Sequence, residues 1–165
     1  MLVGKRLRRD SGPEESDLFA DDDDLLSAIG EEVPLDVHSA LVERAVEQLA
    51  DRCLPDVFHE PLKTAAYWHD AGKMDERFQL WLRQGNEPAA LAAAPLAKSR
   101  IVATSPARRC WLRQVSGLPE NFRHEMLSLQ LAEGLGPSSA EPVLDDLVLY
   151  CIASHHGHGR PFAPV

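Results

Sequence analysis

Apolar positions along this 165-residue chain recur at helical spacing in several separate stretches, and no stretch alternates as a strand would. In "PLDVHSALVERAVEQLADRC" Asp36 is placed to cap a helix. His38, Leu41, Val42, Ala45, Val46 and Leu49 then fall on one stripe. A second helix is predicted from Pro61 to about Gly72, with Leu62, Ala65, Ala66, His69 and Lys73 on one face and Asp70 beside them. A third starts at a capping Asp75, turns Phe78, Trp81 and Leu82 inward, and stops at Gly85. From Asn86 to Pro119 an Ala-rich helical piece is mixed with Pro88, Pro95, Pro106, Gly117 and Pro119, which predicts a long irregular connection. Periodicity returns in "NFRHEMLSLQLAEG", where Asn121 can cap and His124, Leu127 and Leu131 share a face. A last helix opens at Pro142 and buries Leu144, Leu147, Val148, Cys151, Ile152 and His155. The predicted fold class is all-α, five or six helices around one core, without an internal repeat.

Charge changes the picture at the N-terminus. Residues 10 to 36 hold 11 acids and no Lys or Arg, so 1–33 reads as an acidic, disordered tail or linker, and 34–165 as the folded domain. Beyond that segment, 13 basic residues face 15 acidic ones, and the net charge of -9 does not describe the body of the protein. Between Lys98 and Arg113 lie Arg100, Arg108, Arg109 and Arg113 without an acid, with Trp111 among them: either a backbone-binding patch with a stacking ring, or a solvated loop anchored by one Trp. No run is long and apolar enough for a membrane span or secretory signal, which makes the cytoplasm the default. Cys53, Cys110 and Cys151 form no CxxC pair and read as reduced, buried small residues.

The candidate chemistry lies in the histidines. Alone, His69-Asp70 is uninformative, because this composition gives about 0.55 such pairs by chance. The set is different. Four predicted helices direct histidine inward or to an end: His38, His69 with Asp70, His124, and His155 with His156. Several imidazoles in one apolar interior are costly to desolvate unless paired or metal-bound, and Asp70 is the one acid placed to bridge two ions. Two such ions can activate a water and clamp a phosphodiester.

In that order, "HDAGKMDERFQLWL", "FRHEMLSLQL" and "ASHHGHGRPF" resemble the HD phosphohydrolase superfamily, and within it the HD nuclease domain of the CRISPR-associated helicase-nuclease of type I systems. The resemblance covers about Leu35 to Val165. It implies that His38, His69 and Asp70 hold one ion, that Asp70 bridges to a second held by His124, His155 and His156, and that Lys73 faces the scissile phosphate. It implies two divalent transition ions (manganese, nickel, cobalt or iron), a single-stranded DNA substrate, a helicase motor fused or in trans, and a guide-RNA surveillance complex. The family usually completes the first ion's shell with a later aspartate, but no Asp follows Asp146, so either the domain is incomplete or the first site is weaker and partly water-filled. No GxxxxGK[ST] loop is present, which places the motor elsewhere. His59 reads as a surface residue, and His158 and Arg160 as members of a Gly-rich loop in which Arg160 could meet phosphate. Two other readings stay open: a nucleotide phosphohydrolase or cyclic-nucleotide phosphodiesterase of the same superfamily, and a non-catalytic metal-binding docking module.

Overall fold

A computed structural model describes residues 30–100, 105–119, 122–135 and 145–157. Residues 1–29 of the acidic tail, Asn121, Pro142, Leu144, His158 and Arg160 lie outside these residues, whereas Val33, counted with the tail, belongs to the sheet. Among them are seven α-helices and one two-stranded sheet. The helices are α1 (Leu35–Cys53), α2 (His59–Trp68), α3 (Glu76–Leu82), α4 (Glu87–Ala92), α5 (Pro106–Ser116), α6 (His124–Leu135) and α7 (Asp146–Ser154). The strands β1 (Val33–Pro34) and β2 (Leu96–Lys98) pair antiparallel, Val33 opposite Lys98.

The pairing fixes the entry to α1. Pro34 precedes the helix, Asp36 sits inside its first turn rather than at the cap, and the free amide of Leu35 donates to Pro95 O at 2.8 Å. Leu35, Ser39 and Ala50 are buried, whereas Leu41, Ala45 and Leu49 are exposed. The inward stripe is thus rotated from the predicted one, because α1 carries apolar residues on more than one side and periodicity alone could not choose between them.

α2 ends at Trp68, before the predicted Gly72. His69 and Asp70 occupy the turn beyond it, and Ala71–Met74 form a short 3-10 turn. Asp75 then caps α3 by accepting from the amides of Arg77 and Phe78. The predicted irregular stretch contains α4, capped by Asn86, and α5, which opens with Ser105 as cap and Pro106 in its first turn and closes on Gly117 at φ 69°. In α6 the buried stripe is His124, Ser128 and Ala132, with Leu127 and Leu131 half-buried; in α7 it is Val148 and Ile152.

Two apolar clusters flank the His69-Asp70 turn. One joins Phe78, Trp81, Leu82, Leu96 and Leu112; the other joins Ala65, Ala132, Val148 and Ile152. Cys53 and Cys110 are exposed and Cys151 half-buried, so the expectation of buried cysteines fails for two of them: each lies on a helix face that no neighbour covers among the described residues.

Gln79 ties the turn to the sheet. Its buried amide donates to Lys73 O at 2.6 Å and Leu96 O at 2.9 Å, and its Oε1 accepts from Leu96 N at 2.8 Å. Gln79→Ala strands three buried backbone groups and is expected to cost about 2–4 kcal/mol in urea unfolding. An unchanged midpoint would show the clamp to be dispensable.

Candidate metal centre

The turn after α2 delivers Asp70 into a niche between α1, α6 and α7, where it is 2% exposed. Its two oxygens face different partners. Oδ2 lies 3.3 Å from His38 Nε2 and 3.4 Å from His69 Nε2. Oδ1 lies 3.2 Å from His124 Nε2 and 3.6 Å from His155 Nε2, and His156 Nε2 lies 2.9 Å from His124 Nε2. Two groups able to hold a cation result: His38, His69 and Asp70, and Asp70, His124, His155 and His156.

The spacing fits coordination. Donors about 2.1 Å from one ion stand about 3.0 Å apart at right angles and about 3.4 Å apart in a tetrahedron. The tautomers fit too. His69 Nδ1 donates to Ala66 O at 2.7 Å and His155 Nδ1 to Ile152 O at 2.8 Å, which leaves each Nε2 as a lone pair aimed at Asp70. His155 Nε2 is buried without a hydrogen-bond partner among the described residues. A buried, unpartnered lone pair pointing at a carboxylate is what a cation between them would resolve.

Electrostatics agree. Burial pushes the Asp70 carboxyl up, but the imidazoles crowded against its two oxygens, His124 first and then His155, His38 and His69, outweigh it and hold the group well below the usual carboxylate range. Burial pushes His124 down, and His156 is pushed down to about 3, first by burial and then by the neighbouring His155 and His124. Both are neutral at neutral pH, the form in which imidazole ligates.

A family model described as "Cas3, HD domain" matches residues 29–163. The chain belongs to the Cas3 HD-domain family. Membership implies a hydrolase of the HD type, with a His/Asp cluster able to bind divalent metal. No curated protein and no solved structure matches the chain.

In this Cas3 HD domain Lys73, for which the resemblance implies a phosphate contact, is turned onto Asp70. It is 1% exposed, and its Nζ donates to Asp70 Oδ2 at 2.9 Å and weakly to Ala97 O at 3.4 Å. The 3-10 turn folds the side chain back over three residues, and a buried ammonium needs a counter-charge. Lys73 therefore acts on Asp70, on the same oxygen that faces His38 and His69.

The basic stretch begins beside the site, where half-buried Lys98 on β2 feels the charges of Lys73 and Asp70, and continues onto α5. Arg108, Arg109, Trp111 and Arg113 are on α5, which packs on α3 through Leu112, and Arg100 is exposed at the end of β2. The Arg108 guanidinium stacks over the Trp111 ring at 4.1 Å. His59 is at the surface, with Nε2 3.0 Å from Leu54 O and Nδ1 3.3 Å from Asp51. No helix among the described residues is long and apolar enough to cross a membrane.

Two polar residues of the site had no role assigned from the sequence. Ser128 accepts the Gly72 amide at 2.7 Å, and Glu125, fully buried, pairs with Arg123. Ser128 is one helical turn from His124 on its stripe, and Glu125 stands beside it in "RHE", so both were adjacent to a recognised position.

A pH dependence follows for the metal-free Cas3 HD domain. The folded state leaves His156 unprotonated from the ordinary 6.5 down to about 3, a range in which the unfolded chain binds the proton. Stability is therefore full above about 6.5 and falls on acidification, by at most about 1.4 kcal/mol per pH unit from this group. Asp70, held below its ordinary value, adds to the loss at lower pH. Urea unfolding of chelator-treated protein between pH 7 and 4 checks this; a midpoint that does not fall excludes it.

Proposed function

We propose that this HD domain is a metal-dependent nuclease that hydrolyses phosphodiester bonds of single-stranded DNA in CRISPR interference in the cytoplasm. The motor feeding it would be an ATP-driven helicase, fused or in trans, acting on DNA opened by a guide-RNA surveillance complex. The observation that carries the reading is the division of the imidazoles over the two oxygens of one buried carboxylate: His38 and His69 on Oδ2, His124 and His155 on Oδ1, with His156 against His124. A carboxylate divided in this way suits two cations side by side.

His38, His69 and Asp70 would hold one ion, and Asp70, His124, His155 and His156 the other. Manganese, nickel, cobalt or iron suits such an imidazole-rich set. When bound, the ions supply Lewis-acid activation of a water and neutralise charge on the phosphodiester. The chain's own residues do the positioning. Backbone carbonyls of Ala66 and Ile152 fix His69 and His155, and Lys73 holds the Asp70 carboxylate in place. Lys73 donates to the Asp70 oxygen that faces His38 and His69, and would compete there with an ion held by those two residues. The exposed Arg108–Trp111 stack offers a base a sequence-tolerant platform and a phosphate a cation, in keeping with a single-stranded substrate.

The test is cleavage of labelled single-stranded DNA by the purified chain with manganese, nickel or cobalt, against duplex DNA and 2′,3′-cyclic nucleotides. Single-strand cleavage that stops with chelator and returns with metal is expected. Hydrolysis of the cyclic nucleotide alone would move the protein to the phosphodiesterase reading, and tight metal binding without turnover to the docking module.

A further inference from the structure

A histidine that ligates through Nε2 carries its proton on Nδ1, and that proton needs an acceptor. For His69 and His155 the acceptor is a backbone carbonyl three residues back, at 2.7 and 2.8 Å. His124 is the first residue of α6, so its helix supplies no such carbonyl. Its Nε2 is committed to the site, 3.2 Å from Asp70 Oδ1 and 2.9 Å from His156 Nε2. Behind it, Glu125 Oε2 lies 3.9 Å from Nδ1.

Glu125 is an unusual residue to find there. It is 0% exposed, its Oε1 is engaged by Arg123 Nε, and its Oε2 has no hydrogen-bond partner among the described residues. A glutamate serving only the positive end of a helix would keep its free oxygen in water. Here that oxygen is desolvated and lies 3.9 Å from Nδ1, the nitrogen of His124 that is turned away from Asp70 and His156. The terminal torsion of a glutamate is soft, so a small turn of the carboxylate, with the Arg123 side chain following, brings Oε2 toward Nδ1.

We propose that Glu125 is a positioning residue of the metal centre: it accepts the Nδ1 proton of His124, with Arg123 anchoring its other oxygen, and so presents His124 Nε2 to the ion shared with Asp70, His155 and His156. The inference deepens the metal-centre reading and rests on it. It assigns the second ion a carboxylate–histidine relay, whereas His69 of the first ion's set is fixed by a backbone carbonyl.

The test is calorimetric titration with manganese and cobalt of the wild-type chain and of Glu125→Ala and Glu125→Gln, with the imidazole tautomers read by 15N NMR. Glu125→Ala is expected to weaken one of the two ions by 10- to 100-fold and leave the other within about threefold. Glu125→Gln, whose amide oxygen still accepts, recovers most of that loss. In the metal-free wild type, His124 is expected as the Nδ1-H tautomer. Unchanged affinity in both variants, equal weakening of both ions, or a wild-type Nε2-H tautomer at His124 overturns the proposal. The tautomer measurement decides even where Glu125→Ala does not fold. A wild-type chain that binds neither ion refutes the metal centre itself, an outcome separate from these.

Discussion

Asp70→Asn is expected to remove both ions and lower cleavage by at least about a thousandfold, the largest functional effect of any single substitution in this domain. Every candidate ligand pair converges on this carboxylate: His38 and His69 at 3.3 and 3.4 Å from one oxygen, His124 and His155 at 3.2 and 3.6 Å from the other. An amide keeps the shape but offers one neutral oxygen, so it cannot serve two cations. The same change also acts on the fold. Lys73, 1% exposed and 2.9 Å from Oδ2, loses its counter-charge, and breaking a buried pair from one side costs about 3–5 kcal/mol. The two consequences separate in the double variant Asp70→Asn/Lys73→Met, which removes the stranded ammonium. It is expected to regain most of the stability while staying metal-free and inactive. Metal content of the purified proteins, DNA cleavage and urea unfolding measure the three quantities. Asp70→Asn protein that still carries two ions would end the shared-carboxylate account.

How far the sequence reaches is shown by where it slipped. His38, His69, Asp70, His124, His155 and His156 fall into two groups that share Asp70, and each lies in or next to a stretch that the sequence reads as helical. α1 shows the limit: with Val37, Leu41 and Leu49 exposed, apolar residues lie on its outer surface as well, and only the packing of α2 against it selects the stripe of Leu35, Ser39 and Ala50. α5 was missed for a different reason. Pro106 and Gly117 were counted as breakers, whereas at a first turn and beyond a last turn they mark a helix's two ends. Lys73 and Glu125 were illegible for a shared reason: charged residues are expected in water, and their burial depends on partners brought by other elements or by the turn itself. Asp70 supplies the charge that Lys73 needs, while Arg123 and His124 flank Glu125.

Gly72→Ala is expected to be the most destabilising neutral substitution in the domain, and to disturb the centre unevenly. A methyl group built there would lie 2.1 Å from His124 O and 2.8 Å from Ser128 N, both backbone atoms of α6. Gly72 is not at a positive φ, so the cost is contact rather than conformation. Overpacking against side chains costs typically about 1–3 kcal/mol because they can move aside. A helix backbone cannot do so alone; α6 must shift as a unit, breaking the 2.7 Å bond from Gly72 N to Ser128 Oγ, and the loss should exceed about 3 kcal/mol. Ser128→Ala is the control, since it removes that bond without adding volume and should cost about 1 kcal/mol with metal affinity nearly unchanged. The shift also has a direction. The turn carries Asp70 and α6 carries His124, so separating them opens the 3.2 Å contact at Oδ1, while His38 and His69 at Oδ2 do not ride on α6. Chelator-treated Gly72→Ala should therefore unfold at clearly lower urea, and on titration it should lose affinity for one ion more than tenfold before the other is affected. Equal stability, or equal loss of both ions, would mean that the turn and α6 do not meet at Gly72 as closely as 2.1 Å implies.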